Sequence, residues 1–525
     1  MKKAKIVTIN FFLLYAAFVS TTKSQDLNKL PNAYSTYLGG TKAERVNAIK
    51  FDKNGFIYLA GFTNSPDFPV TPGAYCTQYK GELDGYVVKI DLKANRIVWA
   101  TYIGGSNVDY LSDMSLDNEG NIYVVGNTLS SDFPVTIGAF DTSFKGTSGG
   151  SSGYHGDLYV SKLSNDGSKL IYSTFLGGSE SESMENLTVD NEGCVYVCAS
   201  TGSTDYPVTV DSYDTSFNGY NSGRYLSDVV VSKLTKDGNA LEYSYFLGGK
   251  GNEIGKIGID SKGNIVIVGT TSSKDFPVTN GSQFPTSDTT FSQSGGALYV
   301  AVIDPTGKNL LYSSFINGSK ANWPNGMLLD ENDNLYITGF TGSSDFPVTK
   351  NAYQTVKKNN DDAFLLKFNM EQKKIVSCTY IGGGMADAGK CILKNTDGNI
   401  ILTGTTLSPD FPITLNAFDT SYNGCNEQWG GDLFISIFDS TLSRLLYSTY
   451  LGGSGNDYDA SSIIDKNNNL FIGGSTKSSD FPVSANAMNT RYNGGDSHGG
   501  DAVLIKLPLK ELMKHSPTRR NDKKR

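Results

Sequence analysis

One pattern, T-x-S-x-D-[F/Y]-P-[V/I]-[T/S], recurs seven times, with its aspartates at Asp67, Asp132, Asp205, Asp275, Asp345, Asp410 and Asp480. The intervals are 65, 73, 70, 70, 65 and 70 residues. A second marker, usually Gly-Gly after a β-branched and aromatic run, keeps the same register. It stands at Gly39-Gly40, Gly104-Gly105, Gly177-Gly178, Gly248-Gly249, Asn317-Gly318, Gly382-Gly383 and Gly452-Gly453. A fixed period of this kind means stacked copies of one unit, none of which can bury its apolar face alone.

Each unit reads as four short strands. In one stretch these are Tyr86–Asp91, Ile97–Ile103, Leu111–Leu116 and Ile122–Gly126, separated by polar turns such as DNEGN. Such sheets can stack around an axis or along a line. The chain ends choose the axis. Tyr34–Leu38 lacks a hairpin partner before it, and Ala502–Leu507 lacks one after it. Pairing them removes two exposed edges. The expected fold is therefore all-β: a seven-bladed β-propeller with four antiparallel strands per blade, spanning 34–509 and closed by its terminal strands.

The succession LGG, inner strand, D-x-x-G-N and T-x-S-x-D-F-P-V-T resembles the bacterial SBBP-type β-propeller repeat. The resemblance covers about residues 34–509. It implies a propeller on an exported or surface bacterial protein, and it supplies no general catalytic motif.

Residues 1–24 read as a secretory signal: Lys2, Lys3 and Lys5 precede the apolar run Ile6–Val19, with cleavage expected near Gln25. That run is shorter than the ~20 residues a membrane span needs, and no later stretch is long and apolar enough. Residues 25–33 form a lead. Residues 510–525 form a basic tail, expected to be solvated. The expected location is secreted, periplasmic or cell-surface, as a monomer. A net charge of −8 argues against a nucleic-acid partner. The six cysteines show no zinc spacing and read as small buried side chains.

Strand order puts the Gly-Gly connections and the long loops after DFPVT on one face of the ring. Long variable loops on a rigid scaffold are where binding concentrates. The groups there best suited to stacking or hydrogen bonding are Tyr154, His155, Tyr220, Arg224, Tyr225 and Trp429.

Three repeated polar sets are read as follows. The T-x-S-x-D motif is structural, since one ligand site rarely needs seven copies. An acid stands four residues past the second glycine in six units: Glu44, Asp109, Glu182, Glu253, Asp387 and Asp457, with Asn322 in the seventh. Facing the channel, these six would form a ring for a divalent cation such as calcium. Facing neighbouring backbone, each is a loop brace, the reading favoured because six converging like charges repel. Otherwise no cofactor is expected. The third set, Asp84, Asp157, Asp228, Asp362, Asp432 and Asp501, precedes the third strand and reads as braces, with Ala297 the exception.

Catalytic templates are missing: no GxSxG, HExxH or Walker pattern occurs, and there are three histidines. The expectation is a non-catalytic binding or scaffold module for a protein or polysaccharide of the envelope. The alternative is a glycan lyase or hydrolase centred at the channel mouth. It would need polar pocket residues that break the sevenfold pattern.

Overall fold

The computed structural model describes residues 26–146, 156–219, 228–287, 296–316, 318–358, 360–424, 431–496 and 498–514. The signal reading of 1–24 lies outside them. Seven four-stranded antiparallel sheets make up the molecule. With strands a to d running from channel to rim, blade 1 is Glu44–Phe51, Ile57–Thr63, Asp84–Asp91 and Arg96–Ile103. Blades 2 to 6 repeat this order from Asp109, Glu182, Glu253, Asn322 and Asp387. Blade 7 takes Asp457–Ile464, Asn469–Thr476 and Asp501–Pro508 from the C-terminal region and Tyr34–Leu38 from the N-terminal region.

That last pairing runs from Tyr34 opposite Lys506 to Leu38 opposite Ala502. Each strand a also touches the strands a of both neighbouring blades, and blade 7 touches blade 1. The expected seven-bladed ring, closed by its terminal strands, is what forms.

Burial explains the strand composition. Strands b and c lie between blades and are buried on both faces, so they read as near-continuous apolar runs; Ile122–Thr128 is buried throughout. Strand a alternates buried and half-buried positions, as in Glu44–Phe51, because one face lines the channel. The apolar clusters cross between blades: Leu38 and Leu504 of blade 7 pack with Val46, Leu59 and Phe68 of blade 1. The motif phenylalanine anchors six of the clusters, and Tyr206 anchors the seventh. The phenylalanine ring centroid lies 4.1 Å from Tyr159 for Phe133 and 4.3 Å from Tyr299 for Phe276.

The D-x-x-G-N turns are closed by their aspartates. Asp117 Oδ1 accepts from the N–H groups of Glu119 (3.1 Å) and Asn121 (2.8 Å). Gly120 takes φ +80° there, a conformation that suits glycine.

The two flanks are more ordered than solvated segments need to be. Leu27 and Leu30 of the lead are buried in the cluster between blades 6 and 7. Leu509–Lys514, which crosses into the expected basic tail, forms a short helix that buries Leu509 and Leu512 in the same cluster. Residues 515–525 lie outside the described residues. Cys76, Cys194, Cys198 and Cys378 are free thiols. Among the described residues no helix is long and apolar enough to cross a membrane.

Candidate functional site

The central channel widens into a cavity of about 840 Å³. Strand a starts and strand b ends at its mouth, so the mouth opens on the face of the Gly-Gly connections and long loops. Its wall is built by the first and third residues after the acid position of each strand a. At the first position stand Arg45, Tyr110, Ser183, Ile254, Trp323, Ala388 and Tyr458. The third position brings Asn47, Ser112, Lys256, Asn325 and Lys390 into the cavity.

A break in ladder register falls at this third position in six strands a, for instance between Val46 and Ala48 and between Gly389 and Cys391. Bulges re-aim side chains. Here they turn polar groups across the ring. Asn47 Nδ2 donates to Leu111 O (2.7 Å), and Asn325 Nδ2 donates to Gly389 O (2.9 Å). The channel wall is thereby stitched from blade to blade.

The wall combines aromatic faces with isolated charges. Trp323 and Phe340 lie parallel at 7° with centroids 6.5 Å apart. Tyr110 meets Phe62 edge-on at 5.1 Å. The Arg45 guanidinium stands 5.4 Å from the Tyr458 ring centroid. Burial pushes the Glu185 carboxyl up to about 7. At the rim, His498 Nδ1 lies 3.2 Å from Asp496 Oδ1, and Asn64 Nδ2 donates to Asp496 Oδ2 at 2.5 Å. The hydrogen bonds to His498 and Asn64 hold the Asp496 carboxyl below the usual range, against the opposing effect of burial.

The residues singled out from sequence fall elsewhere. Tyr154, His155, Tyr220, Arg224, Tyr225 and Trp429 lie outside the described residues. Glu44, Asp109, Glu182, Glu253, Asp387 and Asp457 open their strands a but do not gather round the channel. Each side chain is buried in its own blade against the Thr and Ser of T-x-S. Glu182 Oε1 accepts from Thr201 Oγ1 (2.7 Å) and Ser203 Oγ (2.6 Å); Glu44 Oε1 accepts from Thr63 Oγ1 (2.8 Å) and Gly40 N–H (3.1 Å). The motif aspartate holds the glycine connection from the other side: Asp132 Oδ1 accepts from the Ser106 N–H (2.8 Å) and hydroxyl (2.9 Å). In blade 5 the Asn322 amide oxygen replaces the carboxylate and accepts from Thr341 Oγ1 (2.6 Å). Among the described residues no three His, Cys, Asp or Glu side chains are grouped to hold a metal.

Sequence reasoning passed over Arg45, Tyr110, Lys256, Trp323 and Lys390. The signal was available: these positions follow the acid at two fixed offsets, yet no one residue type holds either offset around the ring.

The family model agrees with the architecture. The chain carries the SBBP β-propeller repeat, matched at residues 33–69, 98–134 and 446–482. No curated protein matches it. Among solved structures, a PL25 ulvan lyase bound to -[GlcA(1-4)Rha3S]- is 12% identical, with TM-score 0.44 over 93% of this chain and 99% of that one. A protein of unknown function from Dyadobacter fermentans is 12% identical, with TM-score 0.39 over 90% and 98%. A variant of NanB sialidase from Streptococcus pneumoniae is 11% identical, with TM-score 0.39 over 92% and 71%.

Proposed function

We propose that the protein is an exported binding module of the cell surface or envelope, whose ligand, a glycan chain, seats in the channel mouth on the long-loop face. The observation that supports this reading is the loss of the sevenfold repeat along the channel wall. Blade-forming positions keep one chemistry in nearly every copy, whereas the wall carries Arg45, Tyr110, Trp323 and Tyr458 at one and the same offset. Parallel aromatic faces offer stacking surface to sugar rings, and Arg45, Lys256 and Lys390 offer donors to hydroxyl or acidic substituents.

A screen of the intact protein against glycans and envelope extracts tests the reading, with the Arg45→Ala/Trp323→Ala double variant beside it. Binding by the parent and its loss in the variant is the expected outcome. Equal binding by both would overturn it.

A second reading, glycan cleavage at the same mouth, draws on the His498–Asp496 pair and on Glu185, whose carboxyl sits near neutrality. Release of reducing ends or unsaturated products, abolished by His498→Ala, would favour it over binding alone.

A further inference from the structure

The interfaces between blades hold a feature that neither bracing nor recognition explains. The aspartate opening strand c of one blade faces the acid opening strand a of the next. A Cβ placed on Gly177 would lie 2.6 Å from Asp157 Oδ1 and 2.7 Å from Glu182 Oε2. On Gly452 it would lie 2.7 Å from both Asp432 Oδ1 and Asp457 Oδ2. Both carboxylates therefore lean on the same side of one glycine. The same two positions carry acids at four more interfaces: Asp84 with Asp109, Asp228 with Glu253, Asp362 with Asp387, and Asp501 with Glu44.

Three observations single these pairs out. First, all twelve side chains are buried, yet Asp157 Oδ1, Glu182 Oε2, Asp228 Oδ1 and Asp432 Oδ1 have no hydrogen-bond partner. The second oxygens are engaged: Asp157 Oδ2 accepts from Lys145 N–H (2.7 Å) and Asp432 Oδ2 from Asn423 N–H (2.8 Å). Second, the one interface that departs changes both members together. Between blades 4 and 5 stand Ala297 and Asn322. The two exceptions to two separate repeats meet at one place, so the acids act as pairs. Third, the donor set is small. Calcium takes six to eight oxygens, and none of these acids has more than one oxygen without a partner.

We propose that each of these six interfaces holds one proton shared between its two carboxyl groups, so that the ring is tightest when the pairs are singly protonated and loosens as they ionise. Two carboxylates buried against each other cannot both carry charge cheaply, and one O–H supplies the donor that the orphaned oxygens lack. Burial drives the ionisation in the same direction: it pushes Asp432 up to about 8, Asp457 to about 7, Glu182 to about 8 and Asp157 to about 6.

The surrounding charges mostly reinforce this. Asp419 and Asp480 act on the Asp432–Asp457 pair, beside the phenols of Tyr37, Tyr450 and Tyr492. Asp141 raises Asp157 while Lys145 opposes it. Lys80 acts likewise on Asp84, and Lys357 and Lys358 on Asp362. Asp214 and Asp275 raise Asp228. The phenols of Tyr37 and Tyr492 act on Asp501 of the Glu44–Asp501 pair, and those of Tyr86 and Tyr102 on Glu44.

The sign follows. Folded carboxyls hold protons that unfolded ones, titrating near pH ~4, have released. Stability is therefore greatest in mild acid and falls as pH rises through the folded values.

The test is an infrared titration of the intact protein from about pH 5 to about pH 9, read at the carbonyl stretch of protonated carboxyl groups, with urea midpoints over the same range. Expected are a protonated-carboxyl band equivalent to six groups near neutrality and a midpoint that drops as pH rises. Asp432→Asn should remove about one-sixth of the band, and Ala297→Asp with Asn322→Asp should add one group. Should a variant fail to fold, the parent band still decides. No protonated carboxyl above about pH 5 would overturn the proposal, as would a midpoint at alkaline pH that rises with added calcium while the pH slope vanishes.

Discussion

The blade interfaces and the channel wall are built from the same repeat and treat it in opposite ways. At the interfaces most positions keep their chemistry around the ring: Phe68, Phe133, Phe276, Phe346, Phe411 and Phe481 are all buried at one offset, with Tyr206 the remaining copy. Along the wall, residues one step past the acid run from Arg45 to Ala388 without a shared property. A position that closes a ring must fit its neighbours in every copy, so geometry constrains it seven times over. A position facing solvent in the channel meets no such demand and is free to serve a ligand. Repetition marks what holds this molecule together, and its absence marks the wall at which we propose recognition.

Unfolding measurements on four variants test that contrast. Removing Tyr34–Leu38 should have the largest effect. Blade 7 would lose its outer strand and expose Val503 and Ile505, so a cooperative melting transition followed by circular dichroism should disappear. An unchanged melt would contradict ring closure.

Phe133→Ala comes next. It empties a site between Tyr159 and Phe175 and should cost about 3–5 kcal/mol in urea unfolding. Thr201→Val should cost less, about 1–3 kcal/mol, because it takes a donor from the buried Glu182 carboxyl while keeping the shape. Lys256→Ala in the channel should move the urea midpoint by no more than about 0.5 kcal/mol equivalent. A loss at Lys256 as large as that at Thr201 would erase the distinction between the two regions.

Much of this was legible in the chain because local rules and ring geometry point the same way. The strand Tyr34–Leu38 and its partner could be located since an unpaired edge at each end has one economical solution. Glu44 and its equivalents could be read as braces since repulsion argued against convergence. Pairing of these acids with the strand-c aspartates was harder to see. Asp84 and Asp109 belong to different blades, and nothing in extended-chain periodicity says which faces meet. The clue was the shared exception, Ala297 and Asn322, which has meaning only once strand order is known. Third-position channel residues such as Asn47, Asn325 and Lys390 were hidden by the register breaks: at a bulge, simple alternation no longer tells inside from outside. The helix Leu509–Lys514 was masked by its basic surroundings, although Leu509 and Leu512 sit three apart and share one buried face.

Calorimetric titration of a glycan found by screening, into the parent protein and into Trp323→Ala at equal folded fraction, asks whether recognition resides in the channel wall. Affinity should fall at least about tenfold, some 1.4 kcal/mol, while the melting temperature holds. Unchanged affinity in a folded Trp323→Ala protein would place recognition somewhere other than the channel wall.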